Sequence, residues 1–184
     1  MTHREIFDIG VGGSGAIKQI IDILAANGEY CLIGGMAINC YCSPLYTADS
    51  DFAIASSNKD AVKAAMKEAG MKVKAGRYYM SVFIPNSKLT IHITTDERYK
   101  DFGKRAEEKM IFEEFPVKVA SLEDLVKGKT WCFEDPCRKL EKRLKDQLDL
   151  VRMGTNYPEL MKQLPKEIQE IMEKENSQQR GMEL

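Results

Sequence analysis

The sequence predicts an α/β fold: a mixed sheet with helices on one face, followed by a C-terminal helical part. Three observations predict it. Ile17, Ile20, Ile21, Ile23 and Leu24 recur at helical spacing just ahead of an apolar run, Tyr30–Ile33, that stops at Gly34-Gly35. Residues 89–95 alternate plainly, with Leu89, Ile91 and Ile93 facing one way and Thr90, His92 and Thr94 the other. Beyond Ala120 only helical periodicity remains. The expected organisation is an α/β core over 1–120, C-terminal helices over 121–175 that pack on the core and cover its active face, and a disordered tail over 176–184.

Each element has its own signal. Gly10-Val11-Gly12-Gly13-Ser14-Gly15 matches G-x-G-x-x-G in letters. It lacks a buried strand before it and an acidic residue after the next strand, so it reads as a lead-in and not as a dinucleotide site. A helix is expected over 16–27, stopped at Asn27-Gly28, then a strand from Tyr30 and a short helical segment, Met36–Cys42, opened by Gly34-Gly35. Ser43-Pro44 turns the chain into a second strand containing Asp49-Ser50-Asp51, with Ser50 pointing away from the two acids. Residues 58–70 form a helix with Asn58 as N-cap and Gly70 as stop. Lys72–Ala75 suits an edge strand, and 77–84 with 89–95 a hairpin turned at Pro85-Asn86-Ser87. Helix or loop follows over 97–106, then short strands at 109–112 and 116–119. Ser121-Leu122-Glu123-Asp124 resembles a capping box. Asp135-Pro136 is expected to start a long helix that ends at Gly154, and 157–175 a last helix bent at Pro165.

Composition bounds the function. Net charge is −1, which gives no overall pull toward nucleic acid or anionic membrane. No apolar run approaches the ~20 residues that span a bilayer, and MTHREIFDIG lacks the apolar core of a signal peptide, so a cytoplasmic address is expected. The five cysteines, Cys31, Cys40, Cys42, Cys132 and Cys137, have no framework or zinc spacing and read as buried or half-buried thiols.

The stretch 30–55 carries the chemistry. Asp49 and Asp51, at i and i+2 in a strand, present two carboxylates on one face. Such a pair persists most comfortably around a divalent cation. Gly34 and Gly35 let a phosphate approach the backbone at the start of a helix. A phosphate cradle beside a magnesium site is what nucleotidyl transfer requires.

An apolar strand, Gly34-Gly35, thirteen residues and then Asp49-Ser50-Asp51 resembles the signature of the DNA polymerase β-like nucleotidyltransferase superfamily. Small stand-alone bacterial members look closest, among them the toxin-type nucleotidyltransferases of abortive-infection systems. The resemblance is clear over about 28–55 and colinear to about 153. It implies a Mg²⁺-dependent transferase that moves NMP from an NTP to a hydroxyl of an acceptor. The acceptor would be a protein side chain, a tRNA 3′ end or a small molecule such as an aminoglycoside, and the role that of a toxin with an antitoxin partner or of a phage-defence protein. Asp49 and Asp51 would hold the metal, and Gly34 and Gly35 would meet the nucleotide. Superfamily members place a third carboxylate on a neighbouring strand; the matching place here is His92, with Asp96 of the same parity just beyond. Three readings follow: His92 takes over as general base or phosphate contact, Asp96 supplies the carboxylate, or the site binds nucleotide without turnover. Lys129 and Lys145-Asp146 loosely match a lysine and a later Lys/Arg-x-Asp or Arg-Asp pattern in the helices of the toxin-type members. A phosphate role falls to Lys129 or Lys142; the other charges of that helix read as a solvated face with pairs such as Lys145–Asp149. Trp131 reads as a packing anchor. Against the enzyme stand a silenced nucleotide- or partner-binding module and a structural domain with a fortuitous Asp-x-Asp.

Overall fold

The structure is a computed structural model that describes residues 14–47, 49–85, 87, 89–111 and 115–182. Gly10, Gly12 and Gly13 of the glycine-rich lead-in lie outside the described residues. The chain divides into two compact units, Met1–Ser121 and Leu122–Leu184.

In the first unit, helix α1 (Ser14–Ala26) leads into strand β1 (Tyr30–Ile33), and a five-residue helix α2 (Gly34–Ile38) follows at once. Strand β2 (Asp49–Ile54), helix α3 (Lys59–Glu68) and strands β3 (Lys72–Ala75), β4 (Tyr79–Phe83) and β5 (Thr90–Thr94) come next, then β6 (Glu107–Ile111) and β7 (Phe115–Val119). Residues 97–106, expected as helix or loop, form two 3₁₀ turns.

One mixed sheet has the order β3-β4-β5-β2-β1-β7-β6. β2 runs antiparallel to β1 and parallel to β5, and β1 runs parallel to β7. Alternation decides the two faces. Leu32, Phe52, Ile91, Ile93, Met80 and Val82 share the face that is buried with Ile17, Ile20 and Leu24 of α1 and Val62 and Met66 of α3. At about 1.5–3 kcal/mol for each fully buried large apolar side chain, this layer dominates the unit's stability. The opposite face carries Asp49, Asp51, Thr90, His92, Tyr79, Ser81, Phe83, Lys72 and Lys74.

Asn58 occupies the N-cap position of α3 without capping by its side chain. A 3₁₀ turn over Ser56–Asn58 already holds it in helical backbone geometry, which aims the amide elsewhere. That amide lies against Gly28, where a Cβ would sit 2.3 Å from its Nδ2, so Gly28 is needed for contact as well as for its φ of 123°.

The second unit holds helices α4 (Leu122–Phe133), α5 (Leu140–Asn156) and α6 (Lys166–Met182), with a 3₁₀ segment at Pro158–Gln163. Four expectations fail here. Asp135-Pro136 does not start α5; it makes a turn in which the Asp135 carboxylate accepts from the Cys137 N–H at 2.9 Å and its carbonyl from the Arg138 N–H at 3.0 Å. Cys137 rides on that turn and is exposed, unlike the thiols expected. Gly154 lies inside α5 and ends nothing: a Cβ there would come 2.7 Å from Leu164 and 3.0 Å from Met172, so the glycine serves close packing. The last helix begins after Pro165 and continues to Met182, through most of the stretch expected as a disordered tail. No helix among the described residues is long and apolar enough to cross a membrane.

Candidate active site

The site grows from the turn between β1 and α2. Ile33 offers no side-chain cap to α2, and Gly34 adopts φ 73°, a left-handed conformation that favours glycine. The loop that follows is tied at both ends. Asn39 Nδ2 donates to the Leu45 carbonyl at 2.6 Å, and the Leu45 N–H donates to Asn39 Oδ1 at 3.0 Å. The Tyr41 hydroxyl donates to the Ala120 carbonyl just beyond β7, at 3.0 Å.

β2 then delivers the acid pair. Asp49 is exposed and Asp51 half-buried, on one face, while Ser50 between them is fully buried and its hydroxyl meets Met36 Sδ at 3.4 Å. Asp51 stands opposite Ile33 of β1, and its carboxylate lies against Gly34: a Cβ on that glycine would be 2.3 Å from Oδ2. Gly35 has only ordinary room around it, with Thr47 Oγ1 3.7 Å from a hypothetical Cβ.

The register places His92 directly opposite Asp51 and Thr90 opposite Asp49 in the parallel β2–β5 pairing. His92 in turn faces Ser81 of β4, with Nδ1 3.2 Å from the serine hydroxyl. Asp96 lies two residues past β5. It caps the Arg98 N–H at 3.0 Å and grips the Arg98 guanidinium through both oxygens, at 2.8–3.2 Å. Those hydrogen bonds hold its carboxyl below the usual range against an opposing effect of burial. The residue in register with the acid pair is therefore the histidine.

Among the described residues no group of three or more His, Cys, Asp or Glu side chains converges as a metal cage. Two carboxylates on one face still suit Mg²⁺, which is often held by one or two carboxylates together with substrate phosphates and water. Burial pushes the thiol of Cys40, close after α2, up to about 11 despite the nearby Lys109 ammonium.

Lys129 and Lys142 lie in the second unit. Lys129 is held between Asp146 Oδ1 at 2.9 Å and Asp149 Oδ2 at 2.7 Å, with Arg138 on Asp146 and Arg152 on Asp149. Burial works against its charge, but the Asp149 and Asp146 carboxylates outweigh it and raise its pKa. Asp146 and Asp149 are buried, so they belong to no solvated face, whereas Lys142 and Lys145 are exposed.

Reading the sequence passed over Ser81, Lys72, Lys74, Tyr79 and Phe83. The clustering of cations and aromatics in KVKAGRYYMSVF was visible; that they share the acid pair's face depends on the β3–β4–β5 register.

No family model matches the chain, and no curated protein matches it in sequence. Solved structures do. The chain is similar to the antibiotic-resistance factor ANT(2'')-Ia in solution, with 16% identity and a TM-score of 0.57 over 92% of this chain and 94% of that one. It is similar to crystalline ANT(2'')-Ia in complex with adenylyl-2''-tobramycin, with 17% identity and a TM-score of 0.54 over 77% and 87% of the two chains. An antigenic nucleotidyltransferase-like protein from Paracoccidioides brasiliensis gives 14% identity and a TM-score of 0.51 over 77% of each chain. At these identities the likeness is one of fold.

Proposed function

From the nucleotidyltransferase fold as premise, we propose that this chain is a Mg²⁺-dependent nucleotidyltransferase that moves NMP from an NTP to an acceptor hydroxyl. The observation that carries the proposal is the Asp51 carboxylate lying against Gly34, with Asp49 on the same face and His92 in register beside it. The glycine turn receives the triphosphate, whose close approach needs Gly35 without a side chain. Asp49 and Asp51 would hold the cation, which supplies charge neutralisation for the phosphates and a lowered pKa for the attacking hydroxyl.

The acceptor oxygen forms its bond to the α-phosphorus as the bond to the bridging oxygen of pyrophosphate breaks. The hydroxyl proton passes to His92 Nε2. That role requires the tautomer in which Nδ1–H donates to Ser81, leaving the Nε2 lone pair free. Positioning and fixed charge do most of the work in such a transfer.

The more specific role is that of a toxin in a toxin–antitoxin or phage-defence pair, supported by the resemblance of the Gly-Gly and Asp-x-Asp stretch to that group. One observation favours a second reading, a silenced nucleotide-binding module: histidine stands where the superfamily has a carboxylate. Turnover of α-labelled NTPs with and without Mg²⁺ decides between them. Release of pyrophosphate supports the enzyme. A metal-dependent thermal shift with no turnover for any NTP supports the module.

A further inference from the structure

We propose that the outer half of the acid-bearing face, on β3 and β4, is a stacking site for single-stranded nucleic acid, so that the acceptor hydroxyl sits on a polynucleotide. The inference deepens the transferase reading and rests on it for the word acceptor.

The register builds the surface. Lys72 and Lys74 of β3 stand opposite Phe83 and Ser81 of β4, which stand opposite Thr90 and His92 of β5, which stand opposite Asp49 and Asp51. Two rows therefore cross four strands, Asp51–His92–Ser81–Lys74 and Asp49–Thr90–Phe83–Lys72. At about 4.8 Å per strand the lysines lie roughly 14 Å from the acid pair. That separation suits a chain of nucleotides better than a single nucleoside.

The chemistry of the outer half is uniform. Its positions on β3 and β4 hold two lysines, Tyr79, Phe83 and Ser81, and no carboxylate. Tyr79 is 57% exposed, and Lys72 and Lys74 are exposed beside it. The Lys74 ammonium lies 5.4 Å from the centre of the half-buried Phe83 ring. Aromatic faces interleaved with cations on a strand surface are what single-stranded nucleic acid requires: bases stack and phosphates pair.

Tyr79 is also positioned in advance. Its ring lies over Gly76, where a Cβ would come 2.3 Å from Cε1. The Gly76-Arg77 turn is clamped by Lys59 Nζ, which donates to both carbonyls at 2.6 and 2.7 Å, and the Gly76 N–H donates to the Tyr79 carbonyl at 2.9 Å. A ring held over a glycine on a clamped turn loses little entropy when a base stacks on it. A polycationic small acceptor would instead meet two ammonium groups of its own sign.

The test is fluorescence anisotropy of a labelled oligouridylate RNA of about twelve nucleotides with the full-length protein, without NTP or metal. Saturable binding is expected, weakened on the order of tenfold in Tyr79→Ala and restored in Tyr79→Phe. Lys72→Glu with Lys74→Glu should lower the slope of log K against log salt by about 0.7 for each lysine that meets a phosphate. Circular dichroism confirms that these exposed variants fold. Equal affinity of wild type and Tyr79→Ala, an unchanged salt slope, or preference for duplex RNA over the single strand overturns the inference. An α-labelled NTP arm with the same RNA, or with tobramycin, separates the two readings. Label passing to tobramycin while the RNA fails to bind overturns this inference and leaves the transferase standing. RNA binding that needs Tyr79, with no pyrophosphate released from any NTP, supports the stacking site and removes the transferase.

Discussion

Gly34 and Gly35 are neighbours with different physics. Gly34 has φ 73° and the Asp51 carboxylate against its Cα, so Gly34→Ala meets both backbone strain and a clash. It should lose about 1–2 kcal/mol in chemical denaturation, with Asp51 displaced. Gly35 sits in helical geometry with ordinary van der Waals room, so Gly35→Ala should hold stability or gain up to about 1 kcal/mol. The new methyl should nonetheless weaken NTP binding, because a phosphate that approaches that backbone has no room for it. Full NTP affinity in Gly35→Ala would remove the phosphate from that turn. His92 is tested through its partner as well. His92→Ala should lower kcat about 100-fold or more while NTP affinity holds. Ser81→Ala should lower kcat less, by freeing the ring to adopt the wrong tautomer. Loss of NTP binding in His92→Ala would make the histidine a phosphate contact and not a base. Asp49 and Asp51 were legible as a pair because alternation fixes their common face. The contact of Asp51 with Gly34 was not, since it joins two strands that only the fold brings together.

At the scale of elements, periodicity made the strands plain and punctuation misled. β5 was readable because Leu89, Ile91 and Ile93 alternate with polar residues, and all three are buried. Pro136 and Gly154 carry the letters of a helix start and a helix stop, but one belongs to a turn and the other to a packing contact. Proline fits the second position of a turn as well as the first turn of a helix, and glycine fits a crowded crossing as well as a C-terminus. The charges of α5 were equally ambiguous, because burial decides which of them pair. Lys129 now anchors α4 to α5 through two buried carboxylates. Lys129→Met should cost about 3 kcal/mol by leaving Asp146 and Asp149 short of a partner, with Arg138 and Arg152 limiting the loss. The raised pKa of Lys129 fixes the sign of a pH effect. Its contribution is fully present below the unfolded value, about 10.4, and is lost as pH rises through the higher folded value. From neutral pH upward, the stability gap between wild type and Lys129→Met, measured by urea denaturation, should therefore hold steady and narrow only in that alkaline range. A gap that narrows between neutral pH and that range would mean that another group carries the effect. Lys142 is exposed, so Lys142→Ala should leave the melting temperature unchanged. A weaker NTP affinity in that variant would give the lysine the phosphate role proposed for it.

At the scale of the molecule, the sequence announces a mixed sheet but not its order. Alternation says which face a residue shares; it does not say which strand lies next to β2, and so it could not place the basic strand β3 on the same surface as the acid pair. Net charge hid that surface too, because a value of −1 averages a carboxylate pair against a strip of lysines. The residues proposed to hold metal and triphosphate, Gly34, Gly35, Asp49 and Asp51, all lie within Met1–Ser121 with the proposed base His92. Binding of NTP with Mg²⁺ should therefore stabilise that unit by mass action, by about 2.7 kcal/mol at a ligand concentration 100 times Kd. For a chain of this size that raises Tm by roughly 5–10 °C. Calorimetry should show the shift only when nucleotide and Mg²⁺ are present together, since the acid pair repels a bare triphosphate. Asp49→Asn should abolish the shift yet leave the unliganded Tm unchanged or slightly higher, because Asp49 is exposed on a strand end and its removal relieves repulsion from Asp51. A large fall in the unliganded Tm of Asp49→Asn would mark the aspartate as structural. A shift that survives in the variant would place the cation on other residues.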